Sequence, residues 1–148
     1  MVSKKIKILY LISISIFITY LLLLLFNYSN ISETVVSHIN INGKADGHSN
    51  KNSLFISTGV NLAILILIWF LIKSPQSANY PIEINDENRD SVYKKMQLFL
   101  SFVAILCTAF FSYMIFKAIN KQVEYIYLIG YITITPILTV LLFKNKNA

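Results

Sequence analysis

The chain has little charge, few acids and almost no cysteine. Of its 148 residues, 14% are charged and 55% are hydrophobic. A soluble domain usually carries about 25% charged residues, so the deficit points to lipid as the main solvent. Cys107 is the only cysteine, which excludes an internal disulfide and any Cys-based zinc cluster. It lies in "VAILCTAFF" and reads as an apolar packing residue. Seven acidic residues face thirteen basic ones, for a formal charge of +6. In a nucleic-acid binder that excess would form a patch. Here the basic residues stand at the ends of apolar runs, which suits lipid headgroups and topology control and argues against a nucleic-acid partner.

Four stretches, 8–26, 54–72, 96–116 and 125–143, contain no ionised side chain. About 20 residues at 1.5 Å each cross a hydrocarbon core of about 30 Å. Backbone groups in lipid must be satisfied internally, so each stretch is expected to be a helix, and no alternating barrel pattern competes. The expected fold class is an all-α membrane protein, a bundle of four transmembrane helices forming one integral membrane domain over 1–148. The start, "MVSKKIK", resembles a signal-peptide n-region. The apolar run behind it is long and no A-x-A-like site follows, so it reads as an uncleaved first span.

Orientation follows from lysine and arginine. With the N-terminus in the cytoplasm, that side holds nine basic residues: Lys4, Lys5, Lys7, Lys73, Arg89, Lys94, Lys95, Lys144 and Lys146. The other side holds four, Lys44, Lys51, Lys117 and Lys121. The asymmetry predicts both termini inside, a multi-pass chain of a bacterial cytoplasmic (inner) membrane, an extracytoplasmic loop over 27–53 and a cytoplasmic linker over 73–95. Within the spans, Asn61, Gln97, Thr108, Ser112, Thr133 and Thr135 are the main polar groups and are expected to join helices; Pro136 is expected to kink the last. No Asp, Glu, Lys or His lies inside a span, so a proton relay or ion pathway lacks a carrier.

The outer loop is the one long polar stretch between apolar segments. From Val35 the side chains alternate as in a strand, with Val35, Ser37, Ile39 and Ile41 on one face and Val36, His38, Asn40 and Asn42 on the other. Asn42-Gly43 and Asp46-Gly47 read as tight turns. An ordered cap follows, with His38, Asn40, Asp46 and Lys51 converging about Gly43. Asp46 would pair with Lys51 or accept from His38. His38, Asp46 and His48 are also possible metal ligands, though their spacing fits no H-E-x-x-H pattern. Three readings stay open: a self-bonded structural loop, a partner-recognition surface, and a metal site. In the linker, "SPQSANYP" reads as turn-rich; Asn85 can cap a helix whose first turns carry Asp86 and Glu87 and which projects into the cytoplasm by about two or three turns before Met96.

Two stretches resemble a known family. "HININGKADGHSNK", residues 38–51, resembles the H-x-N-x-x-G-x-x-D-G-x-x-x-K pattern of the small bacterial membrane domain of unknown function found in SdpI-type immunity proteins. "NYPIEINDENRDSVY", residues 79–93, resembles the Asn-Tyr-Pro segment and following helix of its short stand-alone members. With helix spacing, the resemblance covers about residues 5–120. It implies candidate ligand- or partner-binding positions at His38, Asn40, Gly43, Asp46, Gly47 and Lys51, with Asn79, Tyr80, Pro81, Asn88 and Tyr93 as a second motif.

The functional expectation is a non-enzymatic membrane protein, without cofactor, that binds or senses an extracytoplasmic peptide or protein. The alternatives are an accessory subunit of a larger membrane complex and a metal-dependent membrane enzyme.

Overall fold

The computed structural model describes residues 2–40 and 44–120. The run 125–143, Pro136, the Asn42-Gly43 turn and the C-terminus lie outside the described residues. Helix α1 is Lys4–Asn27, strands β1 and β2 are Thr34–Ile39 and Ala45–Asn50, α2 is Ser53–Lys73 and α3 is Arg89–Asn120. The fold is thus mostly helical, with a two-stranded antiparallel hairpin where sequence reasoning expected one extended piece and turns. Among the described residues, three helices are long and apolar enough to cross a membrane, and they mark the chain as a membrane protein.

Each helix buries a narrow stripe. On α1 it is Ile6, Tyr10, Ser13, Phe17, Tyr20 and Leu24. On α2 it is Leu54, Thr58, Asn61, Leu65, Ile68 and Ile72. Both advance by alternating steps of four and three, the 3.5-residue repeat that keeps a seam facing its neighbours in a left-handed bundle. On α3, Met96, Leu100, Ala104 and Cys107 are buried, with Gln97, Ser101 and Thr108 beside them. The other faces of α1 and α2 are also apolar: Leu11, Ile18, Leu22, Ile56, Ile66 and Leu67 are exposed. A helix apolar all round suits a lipid surround.

Three hydrogen bonds fix the relative height of the helices. Tyr10 donates its hydroxyl to the Leu65 carbonyl at 2.8 Å, and its ring stacks on Trp69 at 4.7 Å between centroids. Asn61 donates its amide to the Tyr20 hydroxyl at 3.1 Å. Gln97 donates to the Ile72 carbonyl at 2.8 Å. So α2 runs antiparallel to α1, and α3 returns along both. Thr108 follows Gln97 by as many residues as Asn61 precedes Ile72, so Tyr20, Asn61 and Thr108 form one polar level, one residue per helix. All three are buried, as expected for Asn61 and Thr108. Among the described residues, Asn61 Oδ1 and Thr108 Oγ1 have no hydrogen-bond partner.

The linker is built from side chains that satisfy backbone groups. Pro75–Ser77 forms a single 3-10 turn after α2. Asn85 Oδ1 accepts from the Asn88 N–H at 2.9 Å, and Asn88 Oδ1 accepts from the Asn85 N–H at 3.0 Å. This reciprocal box starts the helical path, because the Arg89 N–H already reaches the Asn85 carbonyl at 3.0 Å. The expected cap at Asn85 is therefore present, and α3 runs about two turns before Met96.

Candidate functional site

The hairpin joins α1 to α2 and carries most of the residues singled out by sequence. Its register pairs Thr34 with Asn50, Val35 with Ser49, Val36 with His48, His38 with Gly47, and Ile39 with Ala45. Ser37 in β1 and Asp46 in β2 are each skipped. Two compensating bulges thus sit side by side and restore the register beyond them. This corrects two expectations. The alternation from Val35 breaks at Ser37, and Val35 and Val36 are both buried although they are adjacent in sequence. Asp46 and Gly47 lie in β2 and do not form a turn.

The bulges bring His38 and Asp46 together. His38 Nδ1 lies 2.5 Å from Asp46 Oδ1, and the two side chains are 71% and 42% exposed. Gly47, opposite His38, is required by space: a Cβ there would stand 2.7 Å from the His38 Cβ. A side chain at 47 would therefore push the imidazole out of its place. Asn40 closes the next pair, donating its N–H to the Lys44 carbonyl at 2.9 Å and accepting the Lys44 N–H on Oδ1 at 3.0 Å. Of the expected convergence, His38, Asn40 and Asp46 occupy one end of the hairpin, with Gly47 beside them, and Gly43 lies outside the described residues.

Lys51 is elsewhere. Its ammonium pairs with Glu33 at 2.9 Å, reaches the Ile31 carbonyl at 3.5 Å and lies 4.7 Å from the centroid of the Tyr28 ring. The Lys51 side chain is 13% exposed and its backbone N–H also donates to the Glu33 carbonyl, so it fastens the base of the hairpin to the end of α1. The expected pair was with Asp46. The physical reason for the difference is the antiparallel register, which sets Lys51 opposite Glu33 and sends Asp46 toward the far end. Tyr28 completes this base, bonding Asn52 through its hydroxyl and packing its ring on Phe55. Sequence reasoning missed Tyr28 and Glu33. Strand pairing counted back from Lys51 is the signal that leads to Glu33.

His48 pairs across with Val36 and is exposed. Among the described residues, no three of His, Cys, Asp or Glu stand close enough to hold a metal ion. A groove of about 250 Å³ lies beside the hairpin, where Val36 and Ser37 of β1 meet Ser53 and Ser57 of α2 and Phe110 and Met114 of α3.

The second motif is at the opposite end. Tyr80 donates its hydroxyl to the Pro75 carbonyl at 2.6 Å and its ring lies 5.8 Å from Tyr93. Burial, with Tyr93 adding to it, pushes the Tyr80 hydroxyl up to about 12. Asn88 also donates to the Glu83 carbonyl at 3.0 Å. Asn79 is exposed and Pro81 is exposed, and neither joins these contacts. The two motifs are thus not brought together.

Residues 15–62 match the family model described as "Domain of unknown function (DUF1648)", which is consistent with a small membrane-type domain. No curated protein and no solved structure matches the chain. The matched range runs from within α1 to within α2 and contains the whole hairpin, its Lys51 base and the Tyr20–Asn61 contact.

Proposed function

We propose that the chain is a non-enzymatic, multi-pass protein of a bacterial cytoplasmic membrane that binds or senses a peptide or protein through the hairpin. One observation carries the reading. His38 and Asp46 meet at a double bulge, remain exposed, and stand on a hairpin whose base is tied down by Lys51. With Nδ1–H donated to Asp46, the imidazole offers Nε2 as an acceptor to a partner. An exposed pair of this kind contributes only about 0–1 kcal/mol to folding. Its position is therefore better explained by recognition than by stability. The neighbouring groove offers apolar contact from Val36, Phe110 and Met114 beside the hydroxyls of Ser53 and Ser57. A few polar groups set against apolar lining is the usual composition of a binding cleft.

The basic asymmetry supports a hairpin on the outer side and both termini in the cytoplasm, and the charge-free run 125–143 supports a fourth span. Resemblance of the two motifs to SdpI-type proteins supports immunity against an extracellular peptide as the biological setting. A second reading, an accessory subunit of a larger complex, draws on a cavity of about 330 Å³ between α1 and α3, lined by Ile12, Ser15, Thr19 and Ser112 among others, where a further helix would pack.

Photo-crosslinking from position 48 in intact cells tests the proposal. A peptide or protein adduct that disappears in His38→Ala and Asp46→Ala, with membrane levels unchanged, is the expected result. An adduct obtained only from position 15 or 19 favours the subunit reading. Full adduct yield in both hairpin variants would remove the pair from recognition.

A further inference from the structure

The geometry points to a lysine collar at the linker end of the bundle that binds anionic phospholipid headgroups. Lys4, Lys5 and Lys7 open α1, Lys73 closes α2, and Lys94 and Lys95 lie just before Met96, where the charge-free run of α3 begins. The hydrogen bonds of the bundle put them at one height. Gln97 reaches the carbonyl of Ile72, the residue before Lys73, which sets Lys94 and Lys95 within about a turn of Lys73. Tyr10 stacks on Trp69, and from there Lys7 and Lys73 lie three and four residues away toward the same end. Three helices therefore present six ammonium groups on one ring.

Among the described residues, none of the six makes an ion pair, and Lys4, Lys5, Lys7, Lys73 and Lys94 are exposed. The nearby acids are fewer than the bases: Asp86 pairs with Arg89 at 2.6 Å, and Glu83, Glu87 and Asp90, which make no ion pair with the six lysines among the described residues, leave these in excess. Lys73 lies over the Trp69 ring at 5.6 Å from its centroid, the arrangement of a stem lying along an aromatic at the edge of the hydrocarbon. Charge complementarity selects the occupant. Below the collar the helix faces are apolar and above it begins the polar linker, so the ring stands where the phosphate of a lipid lies. A zwitterionic headgroup gains little from this cluster, whereas an anionic one gains roughly fivefold in binding for each ammonium it engages. The inference is independent of what the hairpin binds.

Trp69 is the only tryptophan and sits beneath Lys73, so it reports on lipid at the collar. The full chain is reconstituted in vesicles of phosphatidylcholine containing equal fractions of brominated phosphatidylglycerol or brominated phosphatidylcholine. The expected result is a preference of about fivefold or more for phosphatidylglycerol in quenching of Trp69. Salt near 1 M, where screening reaches about 3 Å, should remove most of that preference. Substitution of all six lysines by glutamine should bring it to unity. Replacement by arginine should retain it, and Lys44→Gln at the hairpin end should leave it unchanged. Equal quenching by the two lipids overturns the inference, as does a preference that survives either salt or the six glutamines. If the glutamine variant does not insert, the salt series on the unaltered chain decides.

Discussion

The two connections between the helices close their backbones by different means. The linker between α2 and α3 turns its polar side chains inward on its own main chain: Asn85 and Asn88 cap each other, Asn88 also reaches Glu83, and Tyr80 reaches Pro75. The hairpin between α1 and α2 satisfies its backbone by strand pairing, which leaves side chains free for other work. Lys51 is absorbed by the fold, but His38 and Asp46 face outward at a pair of bulges. The same kind of sequence motif thus reports architecture at one end and an unexplained surface at the other. The difference gives Tyr80, Asn88 and Tyr93 structural contacts in the linker and leaves His38 and Asp46 as the exposed pair on which the proposed partner binding rests.

Substitution can sharpen this contrast. Gly47→Val should have the largest effect. Its new Cβ meets His38 at 2.7 Å, and overpacking of this sort costs about 1–3 kcal/mol. Gly59→Ala, on a helix face where an added Cβ meets nothing within 4 Å, should cost nothing and can stabilise by up to about 1 kcal/mol. Unfolding of both variants in detergent micelles measures the difference, and equal losses would show that the bulged pair is not tightly held. Lys51→Gln comes next, with a loss of about 1–2 kcal/mol from the Tyr28 ring, the Ile31 carbonyl and Glu33 together. Glu33→Gln should cost less than about 1 kcal/mol, since that carboxylate is 77% exposed. A larger loss at Glu33 than at Lys51 would reverse the assignment of the base.

Tyr80→Phe should be the mildest at neutral pH, about 1 kcal/mol or less for one hydroxyl-to-carbonyl bond. Its distinct mark is alkaline. The hydroxyl is raised from 10 to about 12 in the fold, so the folded state holds its proton more tightly than the unfolded one. The linker's stability from this group is complete below pH 10 and is lost as pH rises through about 12. Tyrosinate absorbance followed alongside unfolding should lose a component titrating near pH 12 in Tyr80→Phe. Identical alkaline unfolding of both proteins would mean that Tyr80 is not linked to folding.

The spans were legible because lipid imposes a length and excludes ionised groups, as at 8–26, 54–72 and 96–116. Which face packs was much less so. Leu65 is buried and Leu67 exposed, Phe17 buried and Ile18 exposed, yet all four are equally apolar. When solvent and core are both hydrocarbon, hydrophobic periodicity loses its contrast, and only polar outliers such as Ser13, Asn61, Gln97 and Thr108 mark the seam. In the hairpin the strand at Val35 was readable, but the skips at Ser37 and Asp46 depend on pairing between strands, which no single stretch encodes. For the same reason the sequence alone points Lys51 to Asp46, whereas the strand pairing sets it against Glu33. The approach of Asp46 to His38, by contrast, needed only their short separation and complementary chemistry.

The packing of α3 bears on the order in which the chain is made. α1 and α2 touch each other far less than each touches α3, although α1, the hairpin and α2 emerge from the ribosome first. Their direct cross-links are few: Tyr10 to Leu65 and Trp69, and Tyr20 to Asn61. On their own the first two helices are therefore a loosely joined pair, whose seam polar groups mostly bond within the pair while most of the packing of each waits for α3. Because α3 follows in the chain, most of the packing of α1 and α2 forms only after the linker and a further 32-residue helix have been made.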